Sequence, residues 1–406
     1  MKFDSVPLRG DHVALARRGG DDLSAAAFDM IAKLVGFATV SRDSNLALIE
    51  YVSSYLADLG VESRLVPNAD NSKANLYATI GPMVEGGVVL SGHTDVVPVV
   101  GQPWDSDPFT LTEKNGRLFG RGTADMKSFY AIALAMVPEM LARGLARPIH
   151  LALSYDEEIG CLGAPALIEC IASELPAPLA VVVGEPTDMR IVTAHKSIDS
   201  FETVVIGHEA HSSQTHRGVS AVMTAARLIT FLEDMAVQNA AGPASQTSFE
   251  PPYSTIHVGT VNGGTATNII SRECRFSWDI RCIPEDDPQA YADRFDRYCR
   301  DEILPAMQAI APEASIVTTP ACSVPALGPE PGGAAESLVR LLTGYNGSDA
   351  VAYGAEAGQF QQAGFSTVLC GPGSIDQAHQ PNEYIEKSQI HACVDFMRRL
   401  IDAQAS

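Results

Sequence analysis

Several short apolar runs, each followed by acidic or histidine residues, constrain this chain more than any other feature. The runs at 87–91, 149–155, 179–183 and 366–370 lie between segments with helical spacing of apolar residues. Near-continuous apolar strands with helical connections predict a largely parallel α/β sheet that is covered on both faces. Because ligands bind beyond the carboxyl ends of such strands, the residues that follow the runs are expected to share one edge of the sheet. These residues, with one acid that precedes a predicted helix, are His93, Asp125, Glu157, Glu158, Glu185 and His379.

The first half of the chain also predicts particular helices and loops. Apolar spacing favours helices over 24–37 and 46–59, the second ending at Gly60. A third helix is expected to run to about residue 141 with a kink at Pro138. The Pro-, Asp- and Gly-rich segment 98–119 predicts a long ordered loop beside a site. Asp125 could be the N-cap of the third helix or a ligand in a site.

The middle of the chain follows a different pattern. Strands are predicted at 200–206, 253–261, 273–281 and 314–319, with helices at 218–237 and 288–310. This β-α-β-β-α-β order is that of a ferredoxin-like α+β domain. Since the α/β pattern resumes after about residue 320, we predict a discontinuous α/β domain of residues 1–196 and 320–406 that contains an inserted domain of residues 197–319.

Composition excludes several classes of protein. Among 406 residues, 49 Asp and Glu oppose 28 Lys and Arg, for a net charge of −21, which argues against binding to nucleic acid or to an anionic membrane surface. No apolar run approaches the length of a membrane span. The first 22 residues lack the apolar core of an export signal, and the eight cysteines include no CxxC pair. These features predict a cytoplasmic protein with reduced thiols.

The predicted edge residues suit metal chemistry. Imidazoles and carboxylates without cysteine favour zinc or a related divalent ion. The acids are too many for one tetrahedral ion, so two ions that share a carboxylate fit better. Such ions would lower the pKa of water from about 15.7 to about 7. Of the neighbours Glu157 and Glu158, one could bind metal while the other acts as general base.

Seven motifs then identify a family resemblance. In order, they are HTDVVPV, GRGTADMKS, SYDEEIGC, GEPT, GHEAHSS, GGTATNII and GPGSIDQAHQPNEY, spread over about residues 28 to 386. Together they resemble the co-catalytic zinc aminoacylase/carboxypeptidase family, M20. The resemblance implies an α/β zinc-hydrolase catalytic domain with an inserted ferredoxin-like lid domain that forms a homodimer.

The resemblance also implies a role for each motif residue. His93 and Glu185 would bind one Zn²⁺, Glu158 and His379 a second Zn²⁺, and Asp125 would bridge them, with Co²⁺ as a possible substitute. Asp95 would orient His93, Glu157 would be the general base and later acid, and a cis peptide bond would follow Asp125. His211 would reach the partner subunit's site and stabilise the oxyanion.

Substrate contacts are implied less firmly by the motifs. Asn268 and Arg281 would hold the substrate's carboxylate, although Arg281 could also be a surface cation of its strand. Glu356 could pair with a side-chain ammonium or could be a solvated loop acid.

Within the family, the motifs most resemble enzymes that hydrolyse N2-acetyl-L-ornithine to L-ornithine and acetate in arginine biosynthesis. Ser197, Ser271 and Ala355 depart from that pattern, where Gly, Pro and Thr are expected, so substrate identity is less constrained than the reaction. Alternatives are a succinyl-diaminopimelate desuccinylase or another N-acyl-amino-acid deacylase or dipeptidase. A non-catalytic metal-dependent scaffold would have lost a ligand or Glu157, whereas every position is filled.

Overall fold

The computed structural model describes residues 20–242 and 247–406, with side chains from Leu23 onward. The first 22 residues, which lack the apolar core of an export signal, therefore lie almost wholly outside the described residues. In chain order the helices are α1 (Gly20–Val35), α2 (Leu46–Asp58), α3 (Lys127–Ala135), α4 (Val137–Arg143), α5 (Ala164–Glu174), α6 (Ala221–Ala241), α7 (Pro288–Tyr298), α8 (Leu304–Gln308), α9 (Ala334–Thr343), α10 (Ala357–Gln362) and α11 (Lys387–Gln404). Within the described part of the chain, none of the helices combines the length and apolar character needed to cross a bilayer.

The strands form three sheets. They are β1 (Ser63–Pro67), β2 (Ala74–Ile80), β3 (Val88–His93), β4 (Thr112–Lys114), β5 (Arg117–Phe119), β6 (Ile149–Ser154), β7 (Ala180–Pro186), β8 (Val192–His195), β9 (Ile198–Ile206), β10 (Thr255–Gly263), β11 (Glu273–Arg281), β12 (Ser315–Val324), β13 (Asp349–Val351), β14 (Thr367–Gly371) and β15 (Tyr384–Glu386). The largest sheet has the order β1-β2-β6-β3-β7-β14-β8-β13. Its four central strands, β6, β3, β7 and β14, are parallel to one another, which confirms the predicted α/β class.

The chain divides into two compact units. Of the described residues, one unit comprises those up to Thr193 together with Pro329–Asp349 and Gln359–Ser406, and the other comprises those within Ala194–Gly328 and Ala350–Gly358. We propose that the second unit is the inserted domain predicted over 197–319.

In the first unit, every residue of β3, β6 and β7 is buried, as their continuous apolar sequences predict. The predicted third helix is divided rather than kinked. Helix α3 ends at Ala135, and α4 begins at Val137 with Pro138 in its first turn, where the missing N–H of proline has no helical partner to lose. Gly60, with φ of +76°, follows the end of α2.

Two strands lie within the segment that predicted a long loop. Strands β4 and β5 pair antiparallel, and β5 pairs with β15 from the end of the chain. The expectation of a loop over 98–119 is therefore wrong for its last third. The strands are three residues long, too short for a periodic pattern to reveal them.

The second unit has the ferredoxin-like arrangement. Its sheet has the order β10-β11-β9-β12, with every neighbouring pair antiparallel. Alternate residues of β11 are buried, with Phe276 and Trp278 at the centre of the core. The helix predicted over 288–310 is interrupted by a π-helical turn at Cys299–Ile303, after which α8 begins with Pro305 in its first turn.

Candidate active site

Four neighbouring strands and one helix bring the predicted ligands together in the first unit. His93 is the last residue of β3 and Glu185 lies near the end of β7. Glu157 and Glu158 follow β6, and His379 follows β14 after a short 3₁₀ turn. Because these strands are parallel neighbours, their carboxyl ends meet at one edge of the sheet.

Asp125 occupies the centre of this arrangement. Its Oδ1 lies 3.0 Å from Nε2 of His93, and its Oδ2 lies 3.3 Å from Nε2 of His379. The side chain does not cap α3, whose N-cap is Met126, so the N-cap interpretation of Asp125 is wrong. The peptide bond that follows it, to Met126, is cis, as the family resemblance implied. One carboxylate thus presents one oxygen to each imidazole.

The remaining acids surround the two imidazoles. Oε2 of Glu158 lies 2.8 Å from Nε2 of His379, and Oε1 of Glu185 lies 3.9 Å from Nε2 of His93. Two sets of three potential ligand atoms, each set within 4.8 Å, are formed by His93 with Glu157 and Glu185 and by His93 with Asp125 and Glu158.

The hydrogen bonds of His93 determine which ring nitrogen can bind a metal. Nδ1 lies 2.9 Å from the backbone carbonyl of Asp95. Because a carbonyl only accepts, Nδ1 carries a hydrogen, and Nε2 faces the cluster. The carboxylate of Asp95 is 3.6 Å from Nδ1. It instead accepts hydrogen bonds from the backbone N–H groups of Glu157 at 3.0 Å and Glu158 at 3.3 Å, and from the Ser41 hydroxyl at 2.7 Å.

Gly184 provides the room that the end of β7 needs. A Cβ atom at this position would lie 2.0 Å from the ring of Phe129 in α3. The absence of a side chain therefore allows α3 to pack directly against β7 one residue before Glu185.

The pKa values reflect the concentration of negative charge. Burial, reinforced by neighbouring carboxylates, raises the pKa of Glu157 to about 8 and that of Glu158 to about 7. Hydrogen bonds to Asp125 and Glu158 raise the pKa of His379 to about 10. Burial opposes the protonation of His93, yet Asp125, Glu157 and Glu185 hold its pKa well above its ordinary value. Burial likewise opposes ionisation of Asp125, but the hydrogen bonds from the two imidazoles lower its pKa.

This donor set fits divalent metal ions. Five carboxylates and two imidazoles converge at this edge of the sheet, where His93, Asp125 and Glu185 are buried and the imidazole of His379 is 54% exposed. The raised pKa values of Glu157 and Glu158 reflect burial and the excess of negative charge in this cluster. Oxygen and nitrogen donors without a thiolate suit zinc and related ions. All eight cysteines are free thiols, and none belongs to either set of ligand atoms.

Lys73 and Asp156 form a buried ion pair that the sequence did not predict. Nζ of Lys73 lies 2.5 and 2.7 Å from the two Asp156 oxygens, and the backbone N–H of Arg42 donates to Oδ1 at 2.9 Å. Asp156 has a left-handed φ of +53°. The pair therefore holds the bend that directs Glu157 and Glu158 out of β6. The lysine lies in a loop and carries no local signal of this role.

The other predicted site residues belong to the second unit. His211 and Asn268 are exposed and lie on neighbouring segments, since the Ser212 N–H donates to the Asn268 carbonyl at 3.0 Å. Nε of Arg281 donates to Asp279 at 2.8 Å. Glu356 is only 1% exposed, so its interpretation as a solvated loop acid is wrong.

Comparisons with known proteins identify relatives of this chain by sequence and by fold. Residues 89–403 match Peptidase family M20/M25/M40. The chain is 34% identical over 360 residues to acetylornithine deacetylase of Proteus mirabilis, covering 88% of this chain and 90% of that protein. The M20 family metallo-carboxypeptidase Sso-CP2 of Sulfolobus solfataricus superposes with a TM-score of 0.73 at 17% identity, covering 93% of this chain and 99% of the other. The YXEP protein of Bacillus subtilis, a dinuclear metal-binding M20 peptidase, superposes with a TM-score of 0.64 at 15% identity, covering 95% and 99%.

Replacing Lys73 with Met should destabilise the protein by about 3–5 kcal/mol, because it leaves the buried Asp156 carboxylate without its countercharge. The measurement is the free energy of unfolding in urea at neutral pH. Arg64→Met is the matched control, because it breaks an ion pair with Glu174 whose side chains are 63% and 39% exposed and should cost at most about 1 kcal/mol. Equal losses in the two variants would contradict the structural role of the buried pair.

The metal-free protein should lose stability as pH rises from about 4.5 to about 8. The pKa of Glu157 is raised from 4.5 to about 8 in the folded state, so folding takes up a proton. The resulting stabilisation is complete below the unfolded pKa and disappears as pH passes the folded value. Urea unfolding at a series of pH values with a chelator measures this slope.

In Glu157→Gln the slope should be smaller, since the amide does not titrate. Added zinc should also reduce it in the unmodified protein, because a bound cation replaces the protons. A metal-free stability that increases across this pH range would refute the interpretation.

Proposed function

The chain belongs to Peptidase family M20/M25/M40, and on this basis we propose that it hydrolyses the acetyl amide of N2-acetyl-L-ornithine, releasing acetate and L-ornithine for arginine biosynthesis in the cytoplasm. It is a metallohydrolase that acts on amide bonds, and its relatives support N-acyl amino acids as the substrate class. The observation that carries the reaction is the position of Asp125 between two imidazoles. The choice of substrate is supported by the similarity to acetylornithine deacetylase of Proteus mirabilis.

We propose two zinc ions, with cobalt as a substitute. His93 and Glu185 would hold one ion, Glu158 and His379 the other, and Asp125 would contribute an oxygen to each. When bound, the ions would polarise the acyl carbonyl and lower the pKa of a water molecule. The dinuclear metal binding of the Bacillus subtilis relative supports the number of ions.

Glu157 would move the proton. A carboxylate oxygen of Glu157 lies within 4.8 Å of the potential ligand atoms of His93 and Glu185, which supports its role in accepting a proton from water and donating it to the leaving amine. The Asp95 carboxylate accepts hydrogen bonds from the backbone N–H groups of Glu157 and Glu158. These bonds fix the backbone from which both side chains extend. This supports a positioning role for Asp95 that reaches both acids as well as His93.

His211 would donate a hydrogen bond to the oxyanion in the partner subunit's site. The backbone N–H of Ser213 donates to Nδ1 of His211 at 3.2 Å, so Nδ1 is an acceptor in the neutral ring. The hydrogen is therefore on Nε2, which is the nitrogen available to an incoming oxyanion. The exposure of this side chain supports a role in trans.

Asn268, Arg281 and Glu356 would bind the substrate. The bond from Nε of Arg281 to Asp279 orients the guanidinium. Among the described residues its terminal nitrogens have no acceptor, which supports bidentate binding of a carboxylate. Burial of Glu356 makes an ion pair with a substrate ammonium stronger than one in solvent.

We propose that the second unit forms the homodimer through α6, β10 and the hollow beside them. Strand β10 is an edge strand, so its outer backbone groups are available for pairing. The hollow has a volume of about 740 Å³ and is lined by Met223, Ile269 and Ile310, among others. Met223 is 72% exposed and Val261 of β10 is 57% exposed. Exposed apolar side chains beside an open strand edge favour a second copy of the chain as the partner.

The substrate proposal is tested with a panel of amides. We expect kcat/KM for N-acetyl-L-ornithine to exceed the values for N-acetyl-L-norvaline, N-succinyl-diaminopimelate and a dipeptide. Norvaline retains the three-carbon side chain but lacks the ammonium, so this pair isolates the contribution of Glu356. If acetylornithine ranks below the succinylated or peptide substrates, the substrate is a different member of the same class.

Glu157→Gln provides the chemical control for that panel. This variant should lower kcat by about 10²–10⁴-fold while its metal content remains near that of the unmodified protein. Glu169→Gln, an exposed substitution on α5, should leave both unchanged. A Glu157→Gln variant with normal kcat would refute the assignment of the base.

The dimer is tested by sedimentation. The unmodified protein should sediment at about twice the chain mass of 43.1 kDa, whereas Met223→Glu should shift it towards the monomer and reduce activity, since His211 would no longer reach a partner. Leu341→Glu is the matched control, because Leu341 is 74% exposed on the first unit. An active monomer would overturn the trans role of His211.

A further inference from the structure

Glu383 holds the loop that ends at Asp125 from 258 residues away in the sequence. Its Oε1 accepts hydrogen bonds from the backbone N–H groups of Ala124 at 2.8 Å and Asp125 at 3.1 Å. Its Oε2 accepts from the N–H of Gly122 at 3.1 Å and from Nη1 of Arg121 at 2.7 Å. One carboxylate therefore binds four donors from five consecutive residues.

The same network reaches the second imidazole. Nη2 of Arg121 donates to Oε1 of Gln102 at 2.6 Å, and Nε2 of Gln102 donates to the backbone carbonyl of His379 at 2.9 Å. His379 has a left-handed φ of +63°, a conformation that a non-glycine residue adopts only where its surroundings hold it. The chain of contacts Glu383–Arg121–Gln102 thus connects the backbones of Asp125 and His379.

Stability alone is a weak explanation for this network. The side chains of Glu383 and Arg121 are 0% and 1% exposed, and a buried ion pair is often no more stabilising than apolar residues of the same volume. The effect of this network on the backbone positions of Asp125 and His379 is clearer. Asp125 and His379 both lie outside helices and strands, where backbone positions are poorly determined without such contacts.

We propose that Glu383 is a positioning residue for the metal centre. By binding the N–H groups of Gly122, Ala124 and Asp125, and through Arg121 and Gln102 the carbonyl of His379, it holds Asp125 and His379 at the separation that two bridged ions require. The proposal rests on the metal-dependent function proposed above. It assigns to the HQPNEY motif a role in addition to the imidazole of His379. Removal of such outer contacts of metal ligands typically weakens metal binding by about 10–100-fold.

The experiment measures zinc affinity by chelator competition and the visible absorption spectrum of the cobalt-substituted protein. In Glu383→Gln we expect zinc affinity to fall by about tenfold or more and the cobalt spectrum to change, because the ligand geometry around the ion changes. Gln102→Leu removes the connection to His379, together with the acceptor of Arg121 Nη2 and Trp104 Nε1, but leaves the contacts of Glu383 itself in place. It should produce a smaller change of the same kind. Neither measurement requires substrate.

Glu386→Gln is the matched control. Glu386 lies three residues after Glu383 and pairs with Arg117 at 2.7 Å, with both side chains more than two-fifths exposed. This variant should retain the zinc affinity and cobalt spectrum of the unmodified protein. A change as large as that in Glu383→Gln would show that any loss of charge in this region has the same effect, and would overturn the proposal.

A purely structural role predicts a different result. In that case the metal-free Glu383→Gln protein would unfold at lower urea concentration, while its folded form would bind zinc and absorb with cobalt as the unmodified protein does, which overturns the proposal. If Glu383→Gln does not fold, Gln102→Leu decides, and unchanged zinc affinity in it overturns the proposal. Failure of the unmodified protein to bind either ion would instead overturn the proposed function.

Discussion

Mutual repulsion among buried carboxylates is the constraint on which the structure of this site depends. Asp95, Asp125, Glu157, Glu158 and Glu185 gather around two imidazoles, and like charges about 4 Å apart repel by about 4 kcal/mol even at an effective dielectric constant near 20. The fold reduces this repulsion among the carboxylates in two ways. Backbone N–H groups satisfy Asp95, and imidazoles contact Asp125 and Glu158. What remains is a concentration of negative charge that suits divalent cations.

The parallel strands at the centre of the large sheet bring these carboxylates and imidazoles together. Strands β6, β3, β7 and β14 are consecutive neighbours with the same direction, so whatever follows each strand emerges at the same edge. Each strand contributes at least one predicted ligand there, and α3 begins beside the same edge with Asp125 before it. The buried pairs Lys73–Asp156 and Arg121–Glu383 then hold the connecting loops. The sheet brings the predicted ligands to one edge, and the buried pairs contact the loops that carry Asp125, Glu157 and Glu158.

Sequence reasoning succeeded where a local pattern reports burial. The continuous apolar runs of β3, β6 and β7 predicted strands with nearly the observed bounds, and alternation predicted β11 residue for residue. Prediction from the sequence failed where helices or strands are short, and where the burial of a side chain depends on residues far away in the chain. Strands β4 and β5 are too short to show a period, and Glu356 resembles a loop acid because nothing in its neighbours indicates burial. Pro138 predicted a disturbance of the helix but not that a new helix would begin there.

The sequence by itself determined the class of fold and the set of chemical groups at the strand ends, because apolar periodicity and residue order are local properties that persist in any environment. Only the tertiary structure decided how those groups face one another. It shows that the two oxygens of Asp125 point to different imidazoles. It also shows that the Asp95 carboxylate accepts hydrogen bonds from the backbone of Glu157 and Glu158. The Glu383 carboxylate likewise binds the backbone of Asp125, 258 residues earlier in the chain. Each of these contacts joins segments far apart in the chain, and such contacts leave no periodic signature in the sequence of either segment.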